Sequence, residues 1–322
     1  MLYPLTFHPI FKERVWGGRN LERLYDKPLP PGQLIGESWE ISDRPGDESV
    51  IANGPLAGRN LRWLMELHAA DLLGDTQARQ GRFPLLLKIL DAREKLSLQV
   101  HPPAGQAASL SGEPKTEMWY VADAVPGAEL FVGLKRGLKR ADFEERLRDG
   151  TVADCFHRLP VRTGNAMFLP SGRVHAIGAG LVIFEIQQNS DTTYRVFDWN
   201  RVGLNGQPRE LHLAESLASI DFDDFEPDLI RTEFAGDAGI KWKPLAQNPL
   251  FKVEVIEQSA GFRFSLPPGE MQIIACLNGR LSITSNNELS RLAAGGFCLV
   301  PACVQANCLA ETAASWLRTE AG

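Results

Sequence analysis

The chain has 322 residues, of which 44% are hydrophobic and 23% are charged, and its formal net charge is -6. This composition is that of a globular protein with a sizeable core, and the length allows two domains. Because the balance is acidic and no run is rich in Lys or Arg, nucleic acids and anionic membranes are disfavoured as partners, and a small-molecule ligand is expected.

The start of the chain and the cysteines predict a cytoplasmic protein. Residues 1–6 lack a basic segment followed by an apolar one, and no later apolar run approaches the ~18 residues of a membrane span. The five cysteines show no CxxC spacing. Free buried thiols are therefore expected, and neither disulfides nor a thiolate metal site.

The N-terminal part, residues 7–51, contains short apolar segments broken by Gly and Pro. Alternation in residues 36–42 places Glu37 and Trp39 on one face of a predicted strand. A structural Trp beside solvated carboxylates and a place at a pocket are both open interpretations of this segment.

The next segments predict a helix and a buried strand. Leucines recur at helical spacing in residues 56–73, and Gly74 stands where a helix would end, so we predict one surface helix with an apolar stripe. A continuous apolar run over residues 83–90 then predicts a buried strand.

Polar residues follow at strand spacing. Ser97, Gln99 and His101 would share one face of a strand, because successive side chains alternate. After a short loop, Lys115 and Glu117 are two residues apart, so a second strand would present both together. A His, a carboxylate and an amide oxygen make a plausible metal site that still lacks a ligand.

The missing ligand is predicted in residues 164–176. A Gly, a short strand and then Pro170-Ser171-Gly172 describe a tight turn that directs His175 into the interior of a sandwich. His175 would complete the metal site.

Two further charged residues are candidates for the same site. Glu185 lies within the apolar strand 181–188, where a charged carboxylate is costly to bury unless it is paired, so a structural buried pair is the alternative to catalysis. Arg195 lies on the strand after a polar loop. For Arg195, a structural ion pair with Asp191 or Asp198 is the alternative.

The elements read as antiparallel β with a few helices, at about 56–73, 139–149 and 210–219, and not as βαβ alternation. Residues 295–306 can be laid over 164–175, with Ala306 at the position of His175. We therefore predict an all-β dominated fold. Residues 1–225 would form a catalytic domain, and residues 226–322 a worn copy without metal ligands that serves as a lid or packing domain. An accidental similarity of two strands is the alternative.

Five segments carry a family resemblance. They are the apolar run at 83–88, Leu-Ser-Leu-Gln-Val-His-Pro at 96–102, Lys-Thr-Glu-Met-Trp-Tyr at 115–120, Pro-Ser-Gly-Arg-Val-His-Ala at 170–176 and Gln-Gln-Asn-Ser-Asp-Thr-Thr-Tyr-Arg at 187–195. Together they closely resemble the type I mannose-6-phosphate isomerases in their short bacterial form. The segment 164–175 also matches the second motif of the cupin family, except that Ala179 replaces its closing Asn.

The resemblance implies two cupin-type (jelly-roll) β-sandwich domains. It also implies a zinc-dependent aldose-ketose isomerase that interconverts mannose 6-phosphate and fructose 6-phosphate. The residues that match its zinc positions, with one ion per chain, are Gln99, His101, Glu117 and His175. The residues that match its active-site arginine and other pocket positions are Arg195, Ser97, Lys115 and Glu185. Pro103 departs from the Asn of relatives, which leaves the sugar contacts on that side open.

Such an isomerase must move a proton between C1 and C2 through an enediol. Zinc held by two imidazoles, a carboxylate and an amide keeps net positive charge and can polarise the sugar carbonyl. Glu185 is our candidate proton carrier, since desolvation raises a carboxyl pKa, and Lys115 is its rival. Arg195 offers a fixed fork of donors to an oxyanion or to the substrate phosphate. The resemblance adds Ser97 as a phosphate donor.

Two other functions are weighed against the isomerase, because a fold alone does not decide chemistry. A metal-dependent cupin dioxygenase is disfavoured by Gln99, where an iron cupin would usually have His, and by the cations Arg195 and Lys115. A non-catalytic sugar-phosphate-binding protein is disfavoured by the intact ligand set. Since nothing resembles a coiled coil, we expect a monomer.

Overall fold

Antiparallel sheets make up most of the protein in the computed structural model, which describes residues 1–78, 80–285 and 288–322. The strands of the N-terminal part are β1 (Ile10–Gly18), β2 (Ile35–Ile41), β3 (Asp43–Arg44), β4 (Asp47–Glu48), β5 (Leu85–Ala92), β6 (Leu98–Val100), β7 (Glu117–Ala124), β8 (Glu129–Leu134), β9 (Phe156–Pro160), β10 (Ala166–Leu169), β11 (His175–Ile177), β12 (Leu181–Gln188) and β13 (Tyr194–Phe197). The strands of the C-terminal part are β14 (Ala235–Gly236), β15 (Ile240–Gln247), β16 (Phe251–Gln258), β17 (Arg263–Leu266), β18 (Gln272–Asn278), β19 (Arg280–Ser285), β20 (Glu288–Ala293), β21 (Phe297–Val300), β22 (Ala306–Ala310) and β23 (Ala314–Ala321).

Apart from the two-stranded sheet β3-β4, the strands form two pairs of sheets with matching order. The first pair has the orders β1-β2-β5-β12-β7-β10 and β13-β6-β11-β8-β9, and the second has β14-β15-β16-β23-β18-β21 and β17-β22-β19-β20. β10 and β21 are therefore equivalent edge strands, and His175 opens β11 where Ala306 opens β22. The predicted all-β fold with two cupin-type sandwiches is confirmed. The division of the chain at residue 225 stays a prediction.

The helices are short and few. They are α1 (Asn20–Tyr25), α2 (Leu61–Leu67), α3 (Ala69–Leu73), α4 (Ala104–Ala107), α5 (Arg140–Asp149) and α6 (Leu213–Ser219), with single 3-10 turns at Ala108–Leu110 and Val152–Cys155. None of these described helices has the length and hydrophobicity to cross a membrane.

The predicted helix over 56–73 is wrong in extent. The side chain of Asn60 accepts a hydrogen bond from the backbone N–H of Trp63 at 2.9 Å, so α2 begins only after this cap. α2 ends at His68, whose backbone is not helical, and α3 starts directly after it. Leu67, expected on the apolar stripe, is 63% exposed.

The third predicted helix, at 210–219, also begins later, at Leu213. The backbone N–H of His212 donates to the carbonyl of Arg195 at 2.9 Å. The residues before α6 therefore lie beside β13 and do not form a helix. All five cysteines are free thiols, as expected, but Cys303 is exposed and not buried.

Strand β12 is buried on both faces. Val182, Phe184 and Ile186 belong to an apolar core that both pairs of sheets share, where the Phe184 ring stacks on Phe297 at 5.6 Å between centroids. Ile183 and Glu185 face the interior of the first pair. Burial on both sides explains why the strand reads as an almost continuous apolar run. It also places Glu185 opposite the shared core.

Candidate active site

Three of the predicted ligands meet in the interior of the first pair of sheets. One ligand atom each from His101, Glu117 and His175 lies within 4.8 Å of the others, and all three residues are buried. Nε2 of His101 is 3.3 Å from one oxygen of Glu117, and Nε2 of His175 is 3.6 Å from the other. Two imidazoles and one carboxylate thus converge on a single point.

The fourth predicted ligand, Gln99, lies beside this point. Its side-chain amide is 3.2 Å from Nε2 of His175. The two residues are directly opposite each other where β6 pairs with β11. An amide carries an oxygen and a nitrogen on the same carbon, so rotation of the group turns the oxygen towards the shared centre. The four residues therefore form one potential centre.

A tight turn orients His175. Gly172 has a positive φ of 94°, and its N–H donates to the carbonyl of His101 at 2.9 Å. Nδ1 of His175 donates to the carbonyl of Arg173 at 2.9 Å. This bond fixes the tautomer and leaves Nε2 as the lone-pair nitrogen that faces Glu117.

The donor set fits a divalent metal ion. Burial, with the Lys115 charge, lowers the pKa of His101 to about 3, and burial likewise lowers the pKa of His175, so both imidazoles are neutral. Burial alone would raise the pKa of Glu117, but Lys115 and the two histidines hold it well below its usual range. Neutral imidazoles and an ionised carboxylate are the forms that bind metal. Among the described residues, no other such group of three His, Cys, Asp or Glu side chains occurs.

Lys115 is part of the same cluster. Its Nζ is 2.5 Å from an oxygen of Glu117 and 3.4 Å from Nε2 of His101. Burial would lower the pKa of Lys115, but the Glu117 and Glu185 carboxylates outweigh it and raise the pKa above its ordinary value. The ammonium form is therefore strongly favoured. Both side chains of the Lys115–Glu117 ion pair are buried.

A second buried cluster surrounds Glu185. Trp119 donates its indole N–H to Glu185 at 2.9 Å, and Nζ of Lys88 lies 3.6 Å from the other oxygen of Glu185. Nζ of Lys88 is also 3.4 Å from Glu37. Burial, followed by the Glu117 charge, raises the pKa of Glu185 to about 7 against the opposing effect of the lysines.

Both clusters border a cavity of about 490 Å³. Its size is in the range of small-molecule sites. The sequence-predicted residues that line it are Ser97, Gln99, Lys115, Glu185 and Arg195. Ser97, at 4% exposure, is buried in its wall.

Arg195 lies on β13 at this cavity. Its Nη1 donates to the carbonyl of Glu210 at 2.6 Å, and its backbone N–H donates to Nδ1 of His212 at 3.2 Å. Within the described residues, Nε of Arg195 is buried without an acceptor, and no ion pair joins Arg195 to Asp191 or Asp198. Asp198 is instead occupied by Arg201 and Arg209. Arg195 therefore keeps donors for a ligand.

Sequence reasoning missed Lys88 and left Glu37 undecided. Lys88 is a single charge in an apolar strand, which is the same signal that singled out Glu185, and the two are directly opposite each other where β5 pairs with β12. Glu37 accepts hydrogen bonds from Trp39 at 2.7 Å and from Arg14 at 2.7 Å. Both residues line the cavity.

Comparisons with known proteins agree with this geometry. The family model for the phosphomannose isomerase type I catalytic domain matches residues 5–126. A mannose-6-phosphate isomerase from Streptococcus mutans is 33% identical over 302 residues, which covers 94% of this chain and 93% of that protein. Mannose-6-phosphate isomerase ManA from Bacillus subtilis is 41% identical over 220 residues, or 68% of each chain. The crystal structure of the mannose 6-phosphate isomerase from Bacillus subtilis superposes with a TM-score of 0.88 at 29% identity and covers 99% of both chains.

Proposed function

The chain belongs to the type I mannose-6-phosphate isomerase family, and we propose that it interconverts mannose 6-phosphate and fructose 6-phosphate in the cavity lined by Gln99, Lys115, Glu185 and Arg195. The observation that carries this proposal is the convergence of His101, Glu117 and His175 at one buried point beside that cavity.

We propose Zn²⁺ as the metal, held by Gln99, His101, Glu117 and His175. Two neutral nitrogen donors and a carboxylate suit it, and the ligand set leaves the centre with net positive charge. When bound, the ion supplies a Lewis acid that polarises the sugar carbonyl. Gln99 contributes an uncharged oxygen, which preserves that charge.

Glu185 is the proposed proton carrier between C1 and C2. It lines the cavity, and its pKa near neutrality matches a group that must accept and return a proton at physiological pH. Trp119 donates a hydrogen bond to one of its oxygens, and the Lys88 ammonium lies near the other. Lys115 is the weaker candidate, because its raised pKa keeps it protonated; it is better suited to donate to the developing oxyanion.

Arg195 and Ser97 are proposed to contact the substrate. The unused Nε of Arg195 provides a buried donor for an oxyanion or a phosphate oxygen, and the Ser97 hydroxyl lies on the same cavity wall. We further propose a cytoplasmic monomer. The free thiols favour a reducing compartment, and size-exclusion chromatography with light scattering would test the monomer.

A coupled assay of fructose 6-phosphate formation tests the function. We expect turnover by the purified enzyme, its loss on treatment with a chelator and its return with Zn²⁺, together with about one zinc per chain by elemental analysis. Turnover that persists in a fully metal-free preparation would contradict the site. Bound iron with oxygen consumption and without isomerisation would point to a dioxygenase instead.

A further inference from the structure

A bulge in β1 brings consecutive residues to the cavity. In a regular strand successive side chains face opposite ways, yet Glu13, Arg14, Val15 and Trp16 all line the cavity. The pairing with β2 explains this, because Glu13 and Gly18 are both matched to Ile35 and the residues between them leave the ladder. Bulges of this kind redirect side chains near functional sites.

The side chain of Arg14 is held against β2. A Cβ atom on Gly36 would lie 2.6 Å from Cβ and 2.7 Å from Cγ of Arg14, so only a glycine leaves room for the arginine to cross the strand. Nε of Arg14 then donates to Glu37 at 2.7 Å, and Nη1 donates to the carbonyl of Glu13 at 3.3 Å. The guanidinium is thus oriented by two contacts.

In the described part of the chain, Arg14 retains donors that have no protein acceptor. A guanidinium has five N–H groups, and within the described residues Nη2 of Arg14 has no protein acceptor. Its side chain is 33% exposed, whereas the side chains of Lys88 and Lys115 are 4% and 5% exposed and are ion-paired. Arg209 is held against Asp198 by two hydrogen bonds, from Nε and from Nη2.

We infer that Arg14 binds the phosphate group of the substrate and makes the cavity selective for phosphorylated sugars. This inference rests on the proposed isomerase function, in which C1 and C2 of the sugar lie at the metal end and the phosphate on C6 lies away from it. Of the described arginines that line the cavity, Arg14 and Arg195 are then the two whose guanidinium is not held by a two-bond pair with one carboxylate. The planar fork of arginine suits phosphate oxygens better than an ammonium does.

The charges around Arg14 moderate this binding. Glu37 neutralises one edge of the guanidinium, and the Asp191 and Asp47 carboxylates act on it from further away. Asp191 also lines the cavity. A phosphate bound to Arg14 would therefore lie in the same cavity as a carboxylate, and it would be bound less tightly than by an isolated arginine. Moderate affinity allows the product to leave.

A different role for Arg14 gives a different kinetic pattern. If it only supported Glu37, and through Glu37 the Lys88 ammonium, its loss would lower kcat and shift the pH profile without changing phosphate affinity. If it binds phosphate, its loss raises the KM for fructose 6-phosphate and the Ki for inorganic phosphate, while kcat changes less.

The experiment compares Arg14→Gln with Arg23→Gln. Arg23 is in the same N-terminal region and is ion-paired with Asp123 at the surface, so its variant removes the same charge away from the cavity. We expect the Ki of inorganic phosphate, as a competitive inhibitor, to rise roughly tenfold or more in Arg14→Gln, as for a lost charge-assisted hydrogen bond, and to stay unchanged in Arg23→Gln. An unchanged Ki in a folded Arg14→Gln enzyme overturns the inference.

A second variant, Arg14→Lys, tests the inference if Arg14→Gln does not fold. Arg14→Lys keeps the charge but loses the fork, and we expect a Ki for inorganic phosphate about threefold or more above that of the wild type. No rise in this variant, if Arg14→Gln is unfolded by circular dichroism, also overturns the inference. The wild-type assay separates the two proposals. An enzyme that isomerises but shows no phosphate effect in the variants refutes only the Arg14 inference, whereas a wild type without turnover refutes the function.

Discussion

The two pairs of sheets share a strand order but fill their interiors in opposite ways. In the first, His175 is paired with Gln99, and the equivalent pair in the second is Ala306 with Leu266. Leu266 and Ala306 are both fully buried in the apolar core. The same register therefore holds a polar centre in one half and hydrophobic packing in the other.

The comparison extends to the charges beside the centre. Glu185 faces Lys88 across β12 and β5, and the equivalent residues on β23 and β16 are Arg318 and Glu254, which form an ion pair at 2.6 Å with the signs reversed. The Arg318 pair is partly exposed, whereas Glu185 and Lys88 are buried. Strand pairing therefore determines which side chains are neighbours, whereas burial and ligand chemistry determine whether such a pair can serve a function.

The largest effect is expected when the first half is given the residue of the second. His175→Ala copies Ala306 and removes a proposed metal ligand, so we expect kcat/KM to fall by about three orders of magnitude or more, as a Lewis acid worth several kcal/mol is lost. The coupled assay and the zinc content of the purified protein measure this. His8→Ala, at an exposed position, is the control and should be fully active. Normal zinc content with full activity in His175→Ala would contradict the ligand assignment.

A smaller loss is expected from Glu185→Gln. The amide keeps the shape and can still accept the indole N–H of Trp119, but it cannot carry a proton, so kcat should fall by about 10²- to 10³-fold with zinc retained. Glu254→Gln, in the equivalent pair of the second half, should leave kcat unchanged. Equal rates in the two variants would remove Glu185 from the mechanism.

The dependence of the reaction rate on pH should report the ionisation of Glu185. Because burial raises the pKa of Glu185 to about 7, the carboxylate that accepts the proton is lost as the pH falls through neutrality. The rate should therefore decrease about tenfold for each pH unit below that value, as long as the metal stays bound. This decrease of the rate at acidic pH should be absent in Glu185→Gln. A profile that is flat from pH 6 to 8 in the wild type would count against this assignment.

The smallest effect on the reaction is expected from the apolar interior. Leu266→Ala should reduce the free energy of unfolding by about 2–5 kcal/mol through the cavity it leaves, measured by urea denaturation, but should not change kcat or zinc content of the folded enzyme. Leu289→Ala, 45% exposed on β20, should change neither quantity. A large loss of kcat in Leu266→Ala would show that the second half does more than pack.

The convergence of His101, Glu117 and His175 on one point that could hold a metal could be predicted from the sequence, because alternation and turn chemistry are local signals. Gln99 and His101 share a strand face, and the turn before His175 directs that residue inward whatever the rest of the fold does. The family resemblance and the all-β fold are confirmed. Both were predicted from short motifs that can be recognised whatever the lengths of the loops between them. The roles assigned to Glu185, Lys115, Arg195 and Ser97 stay proposals.

The features that sequence reasoning missed depend on departures from regular structure. The bulge after Glu13 brings consecutive residues to the cavity, which strand alternation does not predict. The helix predicted at 56–73 divides because Asn60 and His68 interrupt it, and both interruptions depend on cap geometry that leucine spacing does not show. Lys88, by contrast, was visible as a lone charge in an apolar strand.

Because β12 is buried on both faces, the N-terminal and C-terminal pairs of sheets depend on each other structurally. Phe184 packs against Phe297 while its neighbour Glu185 lines the cavity, so one strand separates the cavity from the C-terminal half. A shortened chain without the C-terminal strands would leave Phe184 and its apolar neighbours in water, and the resulting shift of the strand would displace the carboxylate next to them. The C-terminal strands thus support the strand that carries Glu185.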